Sequence, residues 1–249
     1  MNTYLMFRLY APLCSWGDIA VGEIRPGSMH PSKSAIFGLL AASLGIRRDE
    51  ETKIAELNKS FAVGICVESF GIPLSDFHTI QVLPRTVSKK TRIMTRKDEL
   101  TYSPGELKTI LSYRDYRCDA QYIIMLQQLE DAIYTAETAK QSLLEPEFHL
   151  YLGRKSCPLA LPCQPQVIDD ENAITALKKA IKQFNGLERF PIQLRGNKEL
   201  YWENSFNMGV EAIQIFERRD HVVSRKNWQF YIRMENHYTY TWEDGNVLQ

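Results

Sequence analysis

The sequence predicts an α+β fold of the ferredoxin-like kind, a split βαβ sandwich carrying a long β-hairpin insertion and a smaller C-terminal β-rich part. Three observations predict it. Strand and helix patterns follow one another as strand, helix, strand, insertion, strand, helix over the first two-thirds of the chain. Residues 32–44 form a helix without a wide polar face, so it is buried on most sides. After Leu187 the pattern turns β-rich, ending in an alternation of aromatic and polar residues.

Each element has its own local reason. Thr3–Leu9 (TYLMFRL) is aromatic and apolar with no breaker until Pro12, and reads as a strand. A long loop, Tyr10–Pro31, follows, and a loop of that length in a compact domain is usually functional or covers something. Pro31 blocks any helix arriving from upstream, Ser32 is a good N-cap, and Gly45–Ile46 has the form of a helix-ending glycine with its apolar contact. Residues 47–60 read as a short surface helix, and Phe61–Phe70 as a buried strand. Tyr116–Leu126 returns to strand, and Glu130–Leu144 has helical spacing. Glu171–Phe184 is an amphipathic helix with Ile174, Leu177, Ile181 and Phe184 inward. From Leu187 the stretches FPIQL, VEAIQIF, WQFYIRM and HYTYTW are expected to form a smaller sheet packed on the first domain. The expected division is therefore 1–165, containing the insertion 73–113, and 166–249.

Composition bounds the function. At 249 residues the chain can bury a real core, and with Lys plus Arg at 30 against Asp plus Glu at 30 no global field holds it on a polyanion. Any basic function is local. No apolar run approaches the roughly 20 residues of a membrane span, so the expectation is a cytoplasmic protein without membrane contact. The five cysteines lack metal-ligand spacing and read as reduced, buried thiols. No metal or cofactor is implied.

Local basic clusters are where the sequence speaks. Between Asp76 and Asp98 no acid occurs, while Arg85, Lys89, Lys90, Arg92, Arg96 and Lys97 do. Among β-tolerant residues they predict an extended two-stranded arm able to track a nucleic-acid backbone, or else a solvated loop. At the start of the buried helix, Arg25, His30, Lys33 and Ser34 surround the positive end of the macrodipole, which calls for an anion such as phosphate unless the cations point into water. Gly153 beside Arg154 and Lys155 permits close backbone approach with two cations for an anionic visitor, or makes an ordinary turn. Trp16, Tyr113 and Tyr151 are candidate platforms for stacked bases, with a core role equally open for Trp16. The histidines are dispersed, and His30 with Lys33 or His78 with Arg85 are the pairs available for metal-free RNA cleavage.

Several blocks together resemble a known family. They are Trp16–Gly17, Arg25–Pro26, PSKSAIFGLLAASLGI followed by Arg47–Arg48–Asp49, Asp76–Phe77–His78–Thr79, Tyr113–Arg114–Asp115–Tyr116, and Tyr151–Leu152–Gly153–Arg154–Lys155–Ser156–Cys157–Pro158–Leu159. In this order, across most of residues 1–165, they resemble the CasD family, the subunit that binds the 5′ handle of the crRNA in type I-E Cascade CRISPR surveillance complexes. The resemblance implies an RNA-recognition-motif-like domain of the RAMP superfamily with an extended thumb, here 73–113. It implies that the helix-start cluster, the Gly153 loop and the thumb lie along the crRNA, and with the stacking platforms the candidate crRNA contacts are Trp16, Arg25, His30, Lys33, Ser34, Arg47, Arg48, His78, Arg85, Lys89, Lys90, Arg92, Tyr113, Arg114, Tyr151, Arg154 and Lys155. It further implies the Cascade large subunit and backbone subunits as partners, target DNA as an indirect one, and no catalysis; a metal-independent endoribonuclease that processes precursor repeats is the alternative.

Overall fold

The first strand, β1 (Asn2–Tyr10), sets the layering. Leu5, Phe7 and Leu9 enter one core and Tyr4 and Met6 another, all five fully buried. A strand buried on both faces belongs in the middle of a sheet that is covered twice.

The protein is seen here as a computed structural model that describes residues 1–84, 86, 93–184 and 196–242. After β1 come β2 (Leu13–Cys14), β3 (Ile24–Arg25), α1 (Lys33–Ser43), α2 (Glu51–Ser60), β4 (Phe61–Ser69), β5 (Ile72–Val82), the one-turn α3 (Arg96–Glu99) and β6 (Lys108–Cys118). Then follow β7 (Gln121–Gln128), α4 (Ala136–Leu144), β8 (Gln166–Asp170), α5 (Ala173–Phe184), β9 (Gly196–Glu203), β10 (Gln214–Ser224) and β11 (Gln229–Trp242). Seven strands form one antiparallel sheet in the order β10-β11-β9-β4-β7-β1-β8. On one face lie α1, α2 and α4, through Ile36, Leu40, Leu57, Ala139 and Leu143; on the other lies α5, through Leu177, Ile181 and Phe184, with Trp202, Phe206 and Trp242.

The ends of α1 follow the local signals. Ser32 Oγ accepts from the Ala35 N–H at 3.1 Å. Gly45 adopts φ 74°, which lets its N–H reach Ala42 O at 3.3 Å and the Ile46 N–H reach Ala41 O at 2.8 Å, a Schellman ending. The insertion is a β5–β6 hairpin paired from Ile72↔Cys118 to Val82↔Lys108. The opposite edge of β6 carries β2 and, in parallel, β3, which anchors the base of the arm.

Three expectations are corrected. The C-terminal strands do not make a separate small sheet: β9 pairs with the open edge of β4 and β8 with that of β1, so both sides of the boundary expected at 165/166 share one sheet. Burying two strand edges satisfies more backbone groups than stacking a second sheet. The helix expected over 130–144 begins only at Ala136, because Thr135 Oγ1 accepts from the Thr138 N–H and caps it there. The strand expected over 116–126 is broken at Asp119, whose φ of 55° turns the arm back into the sheet. FPIQL lies outside the described residues, as do Arg85, Lys89, Lys90 and Arg92.

Candidate nucleic-acid interface

Lys33 opens α1, where the sequence calls for an anion, and the chain itself supplies one. The Lys33 N–H donates to Asp220 Oδ2 on β10 at 2.7 Å, and Nζ lies 2.9 and 2.7 Å from the Glu203 carboxylate oxygens on β9. Arg233 grips Asp220 through Nε at 2.6 Å and Nη2 at 2.9 Å, and Glu235 through Nη2 at 2.6 Å. Arg218 Nη1 donates to Glu235 Oε2 at 3.1 Å and sits 2.7 Å from His30 Nδ1. His30 stacks on Tyr201 with ring centres 3.9 Å apart. Burial holds the His30 imidazole below its ordinary range. Burial pushes Glu235 upward, but the His30 hydrogen bond and the charges of Arg218 and Arg233 outweigh it and hold the carboxyl well below its usual range. His30 and Lys33 are thus corrected as RNA contacts: both are buried, the charge of Lys33 answered by Glu203 and the His30 ring held within the Arg218–Glu235 network.

Just outside this network the situation reverses. A cavity of about 420 Å³ is bordered by Ser34, Gly38, Arg47, Arg48, His149, Tyr151, Gly153, Arg225 and Trp228. It shares Gly17, Ser32, Ser34, Arg225 and Trp228 with the lining of a second, of about 800 Å³, which runs along Arg218, Arg219 and the loop at Asp18–Ala20. Arg48 lies over the Trp228 indole, Cζ 4.9 Å from the ring centre, and Arg225 lies 6.0 Å from the same ring and 5.6 Å from that of Phe230. Arg225 Nη2 donates to Ser34 O at 2.7 Å. Burial and the neighbouring Arg48 both hold Arg225 below its ordinary range. Among the described residues no carboxylate is ion-paired with Arg47, Arg48 or Arg225. Three guanidiniums around an aromatic-lined groove, none ion-paired with a carboxylate and only Arg47 near one, Glu50, suit a polyanion with exposed bases.

The other singled-out residues divide. Arg47, Arg48, Ser34 and Tyr151 meet in this groove. Trp16 is corrected to the core: it is buried edge-on against Tyr122, ring centres 5.8 Å apart. Gly153 is needed for close approach, as read, but what approaches is the chain's own backbone, since at φ 85° a Cβ there would sit 1.8 Å from Ser15 O. Arg154 packs over the Tyr116 ring at 5.1 Å, while Lys155 is exposed. At the arm's base Arg25 and Arg114 are register partners, and Tyr113 meets Phe77 across the hairpin with ring centres 5.1 Å apart. His78 pairs with Asp76 on the arm's surface. The sequence reading passed over Arg225 and Trp228. Their signal was the short RKNW segment between two strand patterns, basic and aromatic residues together at a turn. Among the described residues no group of His, Cys, Asp or Glu is arranged to hold a metal ion, and no helix is long and apolar enough to cross a membrane.

Comparison with known proteins places this geometry. A curated relative, the CRISPR system Cascade subunit CasD of Escherichia coli K12, is 29% identical over 170 residues, 65% of this chain and 70% of that protein. A chain of a solved CRISPR RNA-guided surveillance complex superposes with a TM-score of 0.66 at 23% identity, over 95% of this chain and 89% of its own. A second solved structure, of a Cas protein, gives 0.57 at 22% identity, over 95% and 94%. The family model described as CRISPR-associated protein (Cas_Cas5) matches residues 4–233. The chain belongs to the CRISPR-associated Cas5 family.

Proposed function

We propose that this chain is the non-catalytic crRNA-binding subunit of a type I-E Cascade complex, holding the 5′ handle of the guide and capping the backbone filament in antiviral defence. The observation that carries the reading is the contrast between neighbouring cations. Lys33, Arg218 and Arg233 are each paired with a carboxylate, whereas Arg47, Arg48 and Arg225 line an open groove with no ion pair among the described residues. Ribose-phosphate fills that role, and sequence is left to guide–target pairing. The order β8-β1-β7-β4, antiparallel throughout, supports a ferredoxin-like, RNA-recognition-motif-like core, and the β5–β6 arm supports a thumb laid along the guide. Partners under this reading are the handle, the large subunit, the backbone subunits and, indirectly, target DNA, in the cytoplasm.

The test is reconstitution of the complex with its guide and the triple change Arg47→Gln, Arg48→Gln, Arg225→Gln. Guide retention is expected to fall, and the slope of log affinity against log salt to flatten by about 2, at about 0.7 per lost single-strand phosphate contact. Unchanged retention and slope would remove the groove from the reading. Repeat cleavage with His30 as base is opposed by the burial of that ring. Repeat RNA incubated with the chain in chelator should stay intact.

A further inference from the structure

The turn between β10 and β11 places a tryptophan in an unfavourable backbone conformation. Trp228 has φ 51°, in the left-handed region where hairpin turns ordinarily place glycine or asparagine and where a bulky side chain is unfavourable. It is also 58% exposed, whereas Trp16, Trp202 and Trp242 are each 5% exposed or less. An indole held in an unfavourable backbone conformation and left open to solvent gains nothing from core packing. Such outliers persist only where the surrounding structure holds them, and they cluster at ligand-binding and functional sites. Its position is specific. Trp228 and Arg225 border both the 420 Å³ and the 800 Å³ cavities, which also share Gly17, Ser32 and Ser34, so the turn stands where the two linings meet. Arg48 lies against the ring at 4.9 Å, tying the indole to the loop after α1.

We infer that Trp228 is a stacking ledge that receives one unpaired nucleobase at the junction of the two cavities, with Arg48 and Arg225 taking the flanking phosphates. The inference rests on the RNA-binding reading above and adds where a base, rather than backbone alone, is held. Because every base presents a π-face, stacking on this ledge is tolerant of base identity.

The experiment uses the purified full chain and two synthetic probes, an eight-residue oligouridylate and an abasic ribose-phosphate strand of equal length. Acrylamide, a neutral quencher, reports tryptophan access, and the difference between the native chain and Trp228→Phe isolates the exposed indole. Oligouridylate is expected to shield Trp228 from acrylamide, while the abasic strand binds about ten-fold more weakly and leaves it quenchable. Trp228→Leu is expected to lose about ten-fold in affinity for oligouridylate and nothing for the abasic strand, and Trp228→Phe to keep most of the difference. Salt-dependent binding of both probes with equal affinity and Trp228 left quenchable would overturn the ledge and leave the groove standing. Failure of either probe to bind at low salt would overturn both.

Discussion

The backbone N–H of Lys33 donates to Oδ2 of Asp220 at 2.7 Å, joining the first residue of α1 to β10 across 187 residues of sequence. The same carboxylate receives Arg233, so one side chain ends a helix dipole and neutralises a guanidinium. The strand that carries Asp220 continues into the turn that holds Arg225 and Trp228. The buried network thereby fixes where the groove's cations stand relative to α1.

Breaking that joint should be costly. Asp220→Ala leaves Arg233 and the helix end without their carboxylate in a buried site, where loss of one partner costs about 3–5 kcal/mol. Urea unfolding should show a midpoint lowered accordingly. A midpoint within error of the native chain would show that water or Glu235 replaces the carboxylate.

Acid should attack the network in two stages. His30 is held neutral by burial, so below about pH 6.5 the unfolded chain binds a proton that the folded chain refuses, and stability falls as pH falls. Glu235 has a depressed folded pKa, and its contribution, present above the unfolded value near 4.3, is lost as pH drops further. A Glu235→Gln variant should show a shallower acid limb below pH 5 in thermal melts. An unchanged limb would place the acid sensitivity elsewhere.

Glu68 should work in the opposite direction. Burial pushes its carboxyl up to about 7 against the pull of Lys198, whose Nζ lies 3.6 Å away. The folded chain therefore holds a proton that the unfolded chain has released. That contribution is present below the unfolded pKa and disappears as pH rises through about 7. Relative to Glu68→Gln, the native chain should lose up to about 3 kcal/mol between pH 4.5 and 7.5, at about 1.4 kcal/mol per pH unit. Parallel stability curves for the two proteins would contradict the shift.

Gly153→Ala should loosen the loop that carries Tyr151. The left-handed φ alone costs about 1–2 kcal/mol, and the added Cβ would strike Ser15 O, so a lowered melting temperature is expected. Retention of the guide should weaken with it, because Tyr151 and Gly153 border the groove. A variant with native melting would mean that the loop shifts freely.

In the acid-free basic stretch of the sequence, Lys89, Lys90 and Arg92 changed together to Ala should weaken guide retention in the reconstituted complex and flatten its salt dependence. These residues lie outside the described part of the chain, so this prediction stands on charge pattern alone. Identical salt slopes for variant and native complexes would remove these three cations from guide binding.

What the sequence determined by itself was local. Ser32 and Gly45 fix the ends of α1, and the aromatic and apolar run after Asn2 marks β1, because caps and periods act within a few residues. Tertiary structure decided the rest. It gave Lys33 and His30 to Glu203, Asp220 and Glu235, placed Trp16 in the core, merged the C-terminal strands into the central sheet and brought Arg225 and Trp228 beside Arg48. A lysine before a buried helix reads the same whether its anion is a phosphate or a carboxylate from a distant strand. Only the pairing of strand edges across more than a hundred residues chooses between them.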